Sequence, residues 1–391
     1  MIAKNAFLDE DVLSQESTAL FMSGFVFAGL ATELAADRDF VTVDMAGAAI
    51  VVQNFKGELR AFQNVCAHQF AKVQFDVRGN RPLMCRYHGW NYDASGYPFG
   101  IPKRSEYKLD DVDTKCLSLK AYRVERCGIF VFICEVDCAF DLPTWLGSFN
   151  QTLADLSQHI GPEYKFAEIP HRANWKLLVE NVLDNYHCAT LHPTTFLADG
   201  FCKNPPEQVV IDGPHSSFHV PRTPVAREEQ ERLRRRFLSH LSGRTLTHDS
   251  YFHIFIFPNL FVASTEGTTF FVGQALPATA GLTNLRLRYL EPAGLPARSR
   301  GRQDMVNQTY SENGLKIIVE EDLPVLETVQ QGLAISDRPG FIGDGEVRIR
   351  AWRESYTLSM TAGLNAVLPV AKAAAITDVA SENAHVHHTA T

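Results

Sequence analysis

The chain has 391 residues, 45% of them hydrophobic and 21% charged, with a formal net charge of -8. That length exceeds one small core and predicts about two domains, and the composition excludes a disordered or fibrous chain. The negative balance gives no electrostatic reason to bind nucleic acid or an anionic membrane.

In chain order, the most apolar early stretch, Ala19 to Ala31, is broken by Ser23 and Gly24. It falls short of the roughly 20 residues a span needs, so neither a signal peptide nor an anchor is expected. Eight cysteines without the density of a disulfide scaffold suit a reducing cytoplasm. Phe40–Asp44, Ala48–Asn54 and Leu59–Asn64 are short and Val-rich or alternating, and Phe55-Lys56-Gly57-Glu58 between the last two predicts a hairpin. Leu117–Val124 and Ile129–Cys134 add strands. Residues 40–140 are therefore expected to form a small antiparallel β domain, bounded near Asp141-Leu142-Pro143.

Residues 1–39 and 141–372 are assigned to a second, larger domain. Its pattern gives helices at Phe149–His159 and Trp175–Tyr186, and a charged helix at Arg227–Leu241 that reads as a solvated face rather than a protein dock. Strand-like runs follow at Tyr251–Ser264, Thr268–Ala275 and Leu285–Tyr289, then helices at Arg302–Asn313 and Leu323–Leu333. Strands with segregated helices and no βαβ alternation predict an α+β fold, here a central antiparallel sheet flanked by helices. The polar tail 373–391, with His385, His387 and His388, is expected to be disordered.

Two constellations carry chemistry. Cys66-Ala67-His68 is followed, after sixteen residues, by Cys85-Arg86-Tyr87-His88. Each of two loops thus offers one thiolate and one imidazole, the donor set of a Rieske [2Fe–2S] cluster, in which cysteines hold one iron and histidines the other. A Cys2His2 zinc site uses the same donors, but zinc fingers usually keep the cysteines together and the histidines together. Gly89 and Gly96 fit a turn and a short strand covering the cluster, and Cys127 and Cys134 read as buried apolar residues.

The second constellation lies in the helical segment from Asn174 to Pro193. Apolar residues 175, 178, 179, 182, 183 and 186 share one face, and Glu180, Asp184 and His187 form a polar stripe at offsets of four and three. Pro193 disfavours helical geometry at His192, which lets the chain leave the helix and bring a second imidazole back. Two imidazoles with one carboxylate and open positions make the facial triad of non-haem Fe(II) oxygenases. Glu320, Glu321 and Asp322 are the candidates for the distant carboxylate. Spacing does not choose among them, and Asp322 also fits a plain helix N-cap.

With these residues in hand, the sequence from about Phe21 to Met360 resembles the large (α) subunits of Rieske non-haem iron aromatic-ring-hydroxylating oxygenases. The match rests on Cys66, His68, Cys85 and His88, then Asn174-Trp175-Lys176, Glu180-Asn181 and Asp184-x2-His187-x4-His192-Pro193. The resemblance implies that His187, His192 and Asp322 hold the iron, the last placed by the Glu327 and Val329-Gln330-x-Gly332-Leu333 that follow it. It also implies a head-to-tail trimer, with or without a β subunit, that brings one subunit's cluster near its neighbour's iron. Asp184 resembles the carboxylate bridging His88 of one chain to His187 of the next, and Asn181 a pocket residue near the metal. One departure is Gln69-Phe70-Ala71, where such proteins commonly have Arg and Gly after the first pair; it changes the hydrogen bonding expected around the cluster.

The implied activity is hydroxylation of an aromatic or cyclic substrate, an aromatic acid among the candidates, using O2 and electrons from a separate ferredoxin or NAD(P)H reductase. The sequence has no Gly-rich nucleotide loop that would make the reductase internal. The rival on the same chemistry is monooxygenation or demethylation of a quaternary ammonium compound, which needs an aromatic cage. A non-catalytic Rieske carrier and a zinc-stabilised binding module are the other readings. Arg222, Arg286 and Arg288 are each candidates to anchor a substrate carboxylate.

Overall fold

The computed structural model describes residues 2–109, 112–196, 201, 208–221 and 250–368. The charged helix at Arg227–Leu241, Arg222 and the tail 373–391 lie outside the described residues.

The strands of the first half are β1 (Val26–Leu30), β2 (Asp39–Met45), β3 (Ala48–Phe55), β4 (Glu58–Gln63), β5 (Arg78–Asn80), β6 (Asn91–Tyr92), β7 (Pro98–Gly100), β8 (Ala121–Cys127) and β9 (Phe130–Cys134). Those of the second are β10 (Ile160–His171), β11 (Gln208–Asp212), β12 (His215–Pro221), β13 (Ser250–Ile256), β14 (Leu260–Thr265), β15 (Thr269–Thr279) and β16 (Leu282–Pro292). They make two seven-stranded antiparallel sheets, ordered β1-β9-β8-β4-β3-β2-β5 and β10-β16-β15-β14-β13-β12-β11, and a β6-β7 ribbon. With the helices packed beside them, this is the α+β fold expected from the sequence.

The first sheet is buried on both faces, which explains its Val-rich strands. Val41, Val43, Ile50 and Val52 join the main core, which continues into the second sheet. Their neighbours Phe40, Val51 and Phe62 face a smaller core built around Cys66, Cys85, Trp90 and Tyr92. The hairpin between β3 and β4 turns at Lys56 and Gly57, both at positive φ (54° and 98°), as a two-residue turn of this hand requires.

Several elements differ from the sequence reading. Val26–Leu30, read as outside the first sheet, is its edge strand, paired with β9; all five residues are buried, so no alternation marks them. Thr114–Leu117 is a helical turn, and β8 begins only at Ala121. The run Tyr251–Ser264 is two strands, β13 and β14, folded on each other. β10 was not foreseen because it is an edge strand, half exposed and containing Pro162 and Pro170, which an edge tolerates. The helix Val347–Ala362 was also missed, since its opening Val-Arg-Ile-Arg alternates like a strand. Among the described residues no helix is long and apolar enough to cross a membrane.

Candidate metal centres

The two loops that pack on the second face of the first sheet close in the same way. The Phe70 N–H donates to the Cys66 carbonyl at 3.0 Å, and the Gly89 N–H donates to the Cys85 carbonyl at 2.8 Å. Phe70 and Gly89 both take left-handed backbone, φ 61° and 75°. Cys66 and Cys85 are buried, and the His68 and His88 rings meet edge to face with centroids 4.6 Å apart. His68 stacks flat on Trp90 at 5.1 Å, with its Nε2 3.4 Å from the Tyr107 hydroxyl. Its Nδ1 is buried and has no hydrogen-bond partner among the described residues. Burial pushes the Cys66 thiol up, against the Tyr92 hydroxyl 3.1 Å from its sulfur, and the adjacent Cys85 thiol pushes the same way. Two adjacent buried thiols and an orphaned imidazole nitrogen fit a [2Fe–2S] group held by two cysteines and two histidines.

The second centre starts from the helix Trp175–Leu183. Asn174 caps it, accepting from the Lys176 N–H at 3.0 Å. Trp175 Nε1 and Lys176 Nζ both donate to the buried Glu16 carboxylate, at 2.8 and 2.6 Å, and the Tyr356 hydroxyl joins them at 2.5 Å. The Asn-Trp-Lys motif is thus an anchor that fixes where the helix begins. The helix ends at Leu183, earlier than the expected Tyr186: Asp184 is extended (φ -90°, ψ 130°). His187 opens a separate turn, Cys188–Leu191, and His192 closes it in non-helical geometry (φ -113°, ψ 48°), in keeping with the following Pro193. The Glu180, Asp184, His187 stripe is therefore not one helical face. Glu180 turns to Arg353, which grips it at 2.8 and 2.7 Å.

The distant carboxylates arrive on a long helical run. Arg300–Leu315 and Leu323–Ile335 are joined by a π-helical stretch, Lys316–Asp322. Pro324 has no N–H for the carbonyl one turn back, and the widened turns absorb that loss. Asp322 is helical and makes no capping hydrogen bond, so it is not an N-cap. Its Oδ1 lies 3.6 Å from His187 Nε2 and 3.3 Å from His192 Nε2. Each ring's other nitrogen meets a different acid: Asp184 Oδ2 at 3.0 Å from His187 Nδ1, and Glu321 Oε2 at 2.7 Å from His192 Nδ1. Asn181 Nδ2 donates to Asp322 Oδ1 at 3.2 Å. Glu320 is exposed.

This field is strongly cation-attracting. Burial disfavours the His187 imidazolium, yet the Asp184 hydrogen bond, with Cys188 and Asp322 beside it, lifts its pKa to about 10. At His192 burial is likewise outweighed, by Asp322 and Glu321, to about 9. Acids that favour a proton on two imidazoles equally favour a divalent cation between them, so the donor set fits iron. Glu321, one of the three candidate carboxylates, thus meets His192 Nδ1 rather than the Nε2 atoms. Cys188 was not foreseen; its Sγ lies 3.8 Å from His187 Nε2, and His187, Cys188 and His192 offer donor atoms within 4.8 Å of one another.

A cavity of about 130 Å³ adjoins the site. One wall is a row of paired residues running straight across the second sheet: Phe218, His253, Ala263, Phe271 and Tyr289. Leu178, Val182 and Ile318 line it from the helical side, with His187, His192 and Asp322. Strand alternation sends Leu285 and Tyr289 of β16 to this cavity and Arg286 and Arg288 to the opposite face. There Arg286 meets Glu168 and the Thr42 carbonyl, and Arg288 meets Glu33. Neither anchors a substrate.

Residues 24–123 match the family described as Rieske [2Fe-2S] domain, and residues 154–362, more than half of the chain, match Ring hydroxylating alpha subunit (catalytic domain). The chain is 28% identical over 187 residues to the glycine betaine monooxygenase oxygenase subunit of Chromohalobacter salexigens, covering 47% of this chain and 41% of that protein. It is 29% identical over 197 residues to the naphthalene 1,2-dioxygenase large oxygenase component of Pseudomonas aeruginosa, covering 48% and 43%. These alignments span less than half the length of either relative. In fold it is similar to a solved quaternary ammonium Rieske monooxygenase, with a TM-score of 0.73 at 19% identity over 92% of this chain and 94% of that one. The chain belongs to the ring-hydroxylating oxygenase α-subunit family, with a Rieske [2Fe–2S] domain ahead of a catalytic domain that binds mononuclear iron.

Proposed function

We propose that the protein is the oxygenase component of a Rieske system that hydroxylates a small ring substrate with O2, supplied with electrons by a separate ferredoxin or NAD(P)H reductase. The observation that carries this reading is the convergence of His187 Nε2 and His192 Nε2 on Asp322 Oδ1 at the edge of a ring-sized cavity. Cys66, His68, Cys85 and His88 would hold the cluster, and His187, His192 and Asp322 the iron. When bound, the cluster supplies single electrons and the iron supplies the activation of dioxygen.

The chain's own contribution is positional. Asp184 and Glu321 fix the orientation of the two imidazoles by taking their Nδ1 hydrogens, and Asn181 steadies Asp322. Asp322 is preferred over Cys188 as the third donor because its oxygen approaches both Nε2 atoms, completing two imidazoles and a carboxylate. The largely apolar wall would exclude water and hold the substrate beside His187, His192 and Asp322. Engineered dry cavities of roughly 150 Å³ take up benzene, so the volume here suits one ring.

The division into a cluster domain over residues 40–140 and a catalytic domain of 1–39 and 141–372 belongs to the same proposal, as does head-to-tail association. His88 is exposed and flanked by exposed Tyr87 and Phe70, and Tyr186 beside Asp184 is 85% exposed. These aromatic surfaces suit docking of one copy's cluster on the next copy's Asp184. Replacing His187 by Ala tests the oxygenase reading: product formation is expected to vanish while the cluster's reduced EPR signal stays. Unchanged electron acceptance with no product from the wild type under any ring or ammonium substrate would favour an electron carrier.

A further inference from the structure

Beside the cavity, on the same face of the second sheet, lies a buried cation with no matching acid among the described residues. Arg348, on the helix Val347–Ala362, is buried, and among the described residues no carboxylate pairs with it. Its Nε donates to Ser216 Oγ at 3.0 Å, its Nη2 donates to His253 Nδ1 at 3.1 Å, and its guanidinium lies 4.5 Å from the Phe218 ring centre. Its Nη1 has no partner among the described residues.

A guanidinium has no acceptor. His253 Nδ1 must therefore be the accepting nitrogen, and the ring's proton sits on Nε2. His253 lines the cavity between Phe218 and Ala263, with its ring stacked between those of Phe218 and Phe261 at 5.5 and 6.0 Å. Its Nε2 is buried and has no partner among the described residues. Burial and the nearby Arg348 charge both keep the ring neutral, so Nε2 is a fixed donor rather than a titrating group. The Tyr289 hydroxyl, at the far end of the row, also has no partner among the described residues.

We propose that His253 is a specificity-determining residue whose Nε2–H donates to an oxygen of the substrate, and that Arg348, holding that tautomer and adding positive potential, makes an aromatic carboxylate the preferred ligand. Arg348 is a positioning residue in this scheme, since it acts through His253. A quaternary ammonium would be set against a buried positive charge, which opposes binding at this end of the cavity. The proposal rests on the oxygenase reading of the site and narrows it to a substrate class.

The test is anaerobic calorimetry on the loaded holoenzyme with benzoate, toluene and phenyltrimethylammonium. Benzoate is expected to bind about tenfold or more tightly than toluene, and phenyltrimethylammonium more weakly than either. His253→Phe, which keeps the ring stack and removes the donor, is expected to lose that preference while toluene binding is retained. Arg348→Met should lose it too, and Arg348→Lys should restore part of it, which a merely structural role would not do. Benzoate binding no tighter than toluene in the wild type, including no benzoate binding at all, overturns the proposal even if the variants fail to fold. So does phenyltrimethylammonium binding as well as benzoate. Iron and sulfide content of the same samples separates the two failures: a protein lacking either metal centre fails the oxygenase reading, whichever probe it prefers.

Discussion

Phe70 closes the first cluster loop at φ 61°, and its counterpart in the second loop is Gly89 at φ 75°. An L-residue held in left-handed geometry is disfavoured by about 1–2 kcal/mol, and glycine's greater unfolded-state freedom offsets about 0.5–1 kcal/mol. Phe70 is 81% exposed, so Phe70→Gly removes little packing within the chain. It is expected to stabilise the loaded, dissociated chain by up to about 1 kcal/mol, and a lowered thermal midpoint of that species would contradict the strain. At the iron, Asp322→Ala is expected to abolish mononuclear iron while sparing the cluster, and Cys188→Ala to keep both, as iron-to-sulfide ratios report. The four proposed cluster residues could be singled out in the sequence because their short local spacing carries the chemistry. The partner of Glu321 and the role of Arg348 could not be: Glu321 meets His192 from 129 positions away, and Arg348 meets His253 from 95. Such contacts exist only once the fold brings distant segments together.

At the level of elements, Glu33 ties the two sheets together. Its carboxylate, on the turn after β1, meets Arg78 of β5 at 3.2 Å and Arg288 of β16 at 2.9 Å. Burial would raise its pKa, but Arg288, the Leu30 N–H and Arg78 outweigh it and hold the carboxyl below its ordinary 4.5. A depressed carboxyl contributes stability above its ordinary value and loses it as pH falls through the folded one. Glu33→Gln is therefore expected to cost about 3–5 kcal/mol at neutral pH and to flatten the acid limb of the stability curve; an unchanged limb would locate acid sensitivity elsewhere. The helix from Leu323 and the Val-rich hairpin were readable because pattern and packing agree, whereas the helix Arg300–Leu315 turns polar Gln303, Asn307 and Ser311 inward. β10 and the helix Val347–Ala362 were hidden, one by an edge strand's polar sequence and the other by alternation at its start. The helix from Trp175 was read too long because its apolar spacing continues to Tyr186. The chain breaks earlier, at Asp184, and Tyr186 is exposed.

At the scale of the whole molecule, one core runs through both sheets, yet the cluster loops form a separate small core on the other face of the first sheet. The proposed head-to-tail association would pass electrons between copies from exposed His88 to part-buried Asp184. Co-expressing a cluster-deficient Cys85→Ala chain with an iron-deficient His187→Ala chain is expected to recover part of the activity that neither has alone. No recovery in mixed oligomers would mean that electrons pass within one chain. Both outcomes presuppose two metal centres in each subunit, and that claim is tested most directly by purifying the wild-type protein without air, recording its reduced EPR spectrum, and quantifying iron, sulfide and zinc per chain. A Rieske signal with about three irons and two sulfides is the expected result, and a colourless protein carrying zinc would contradict it.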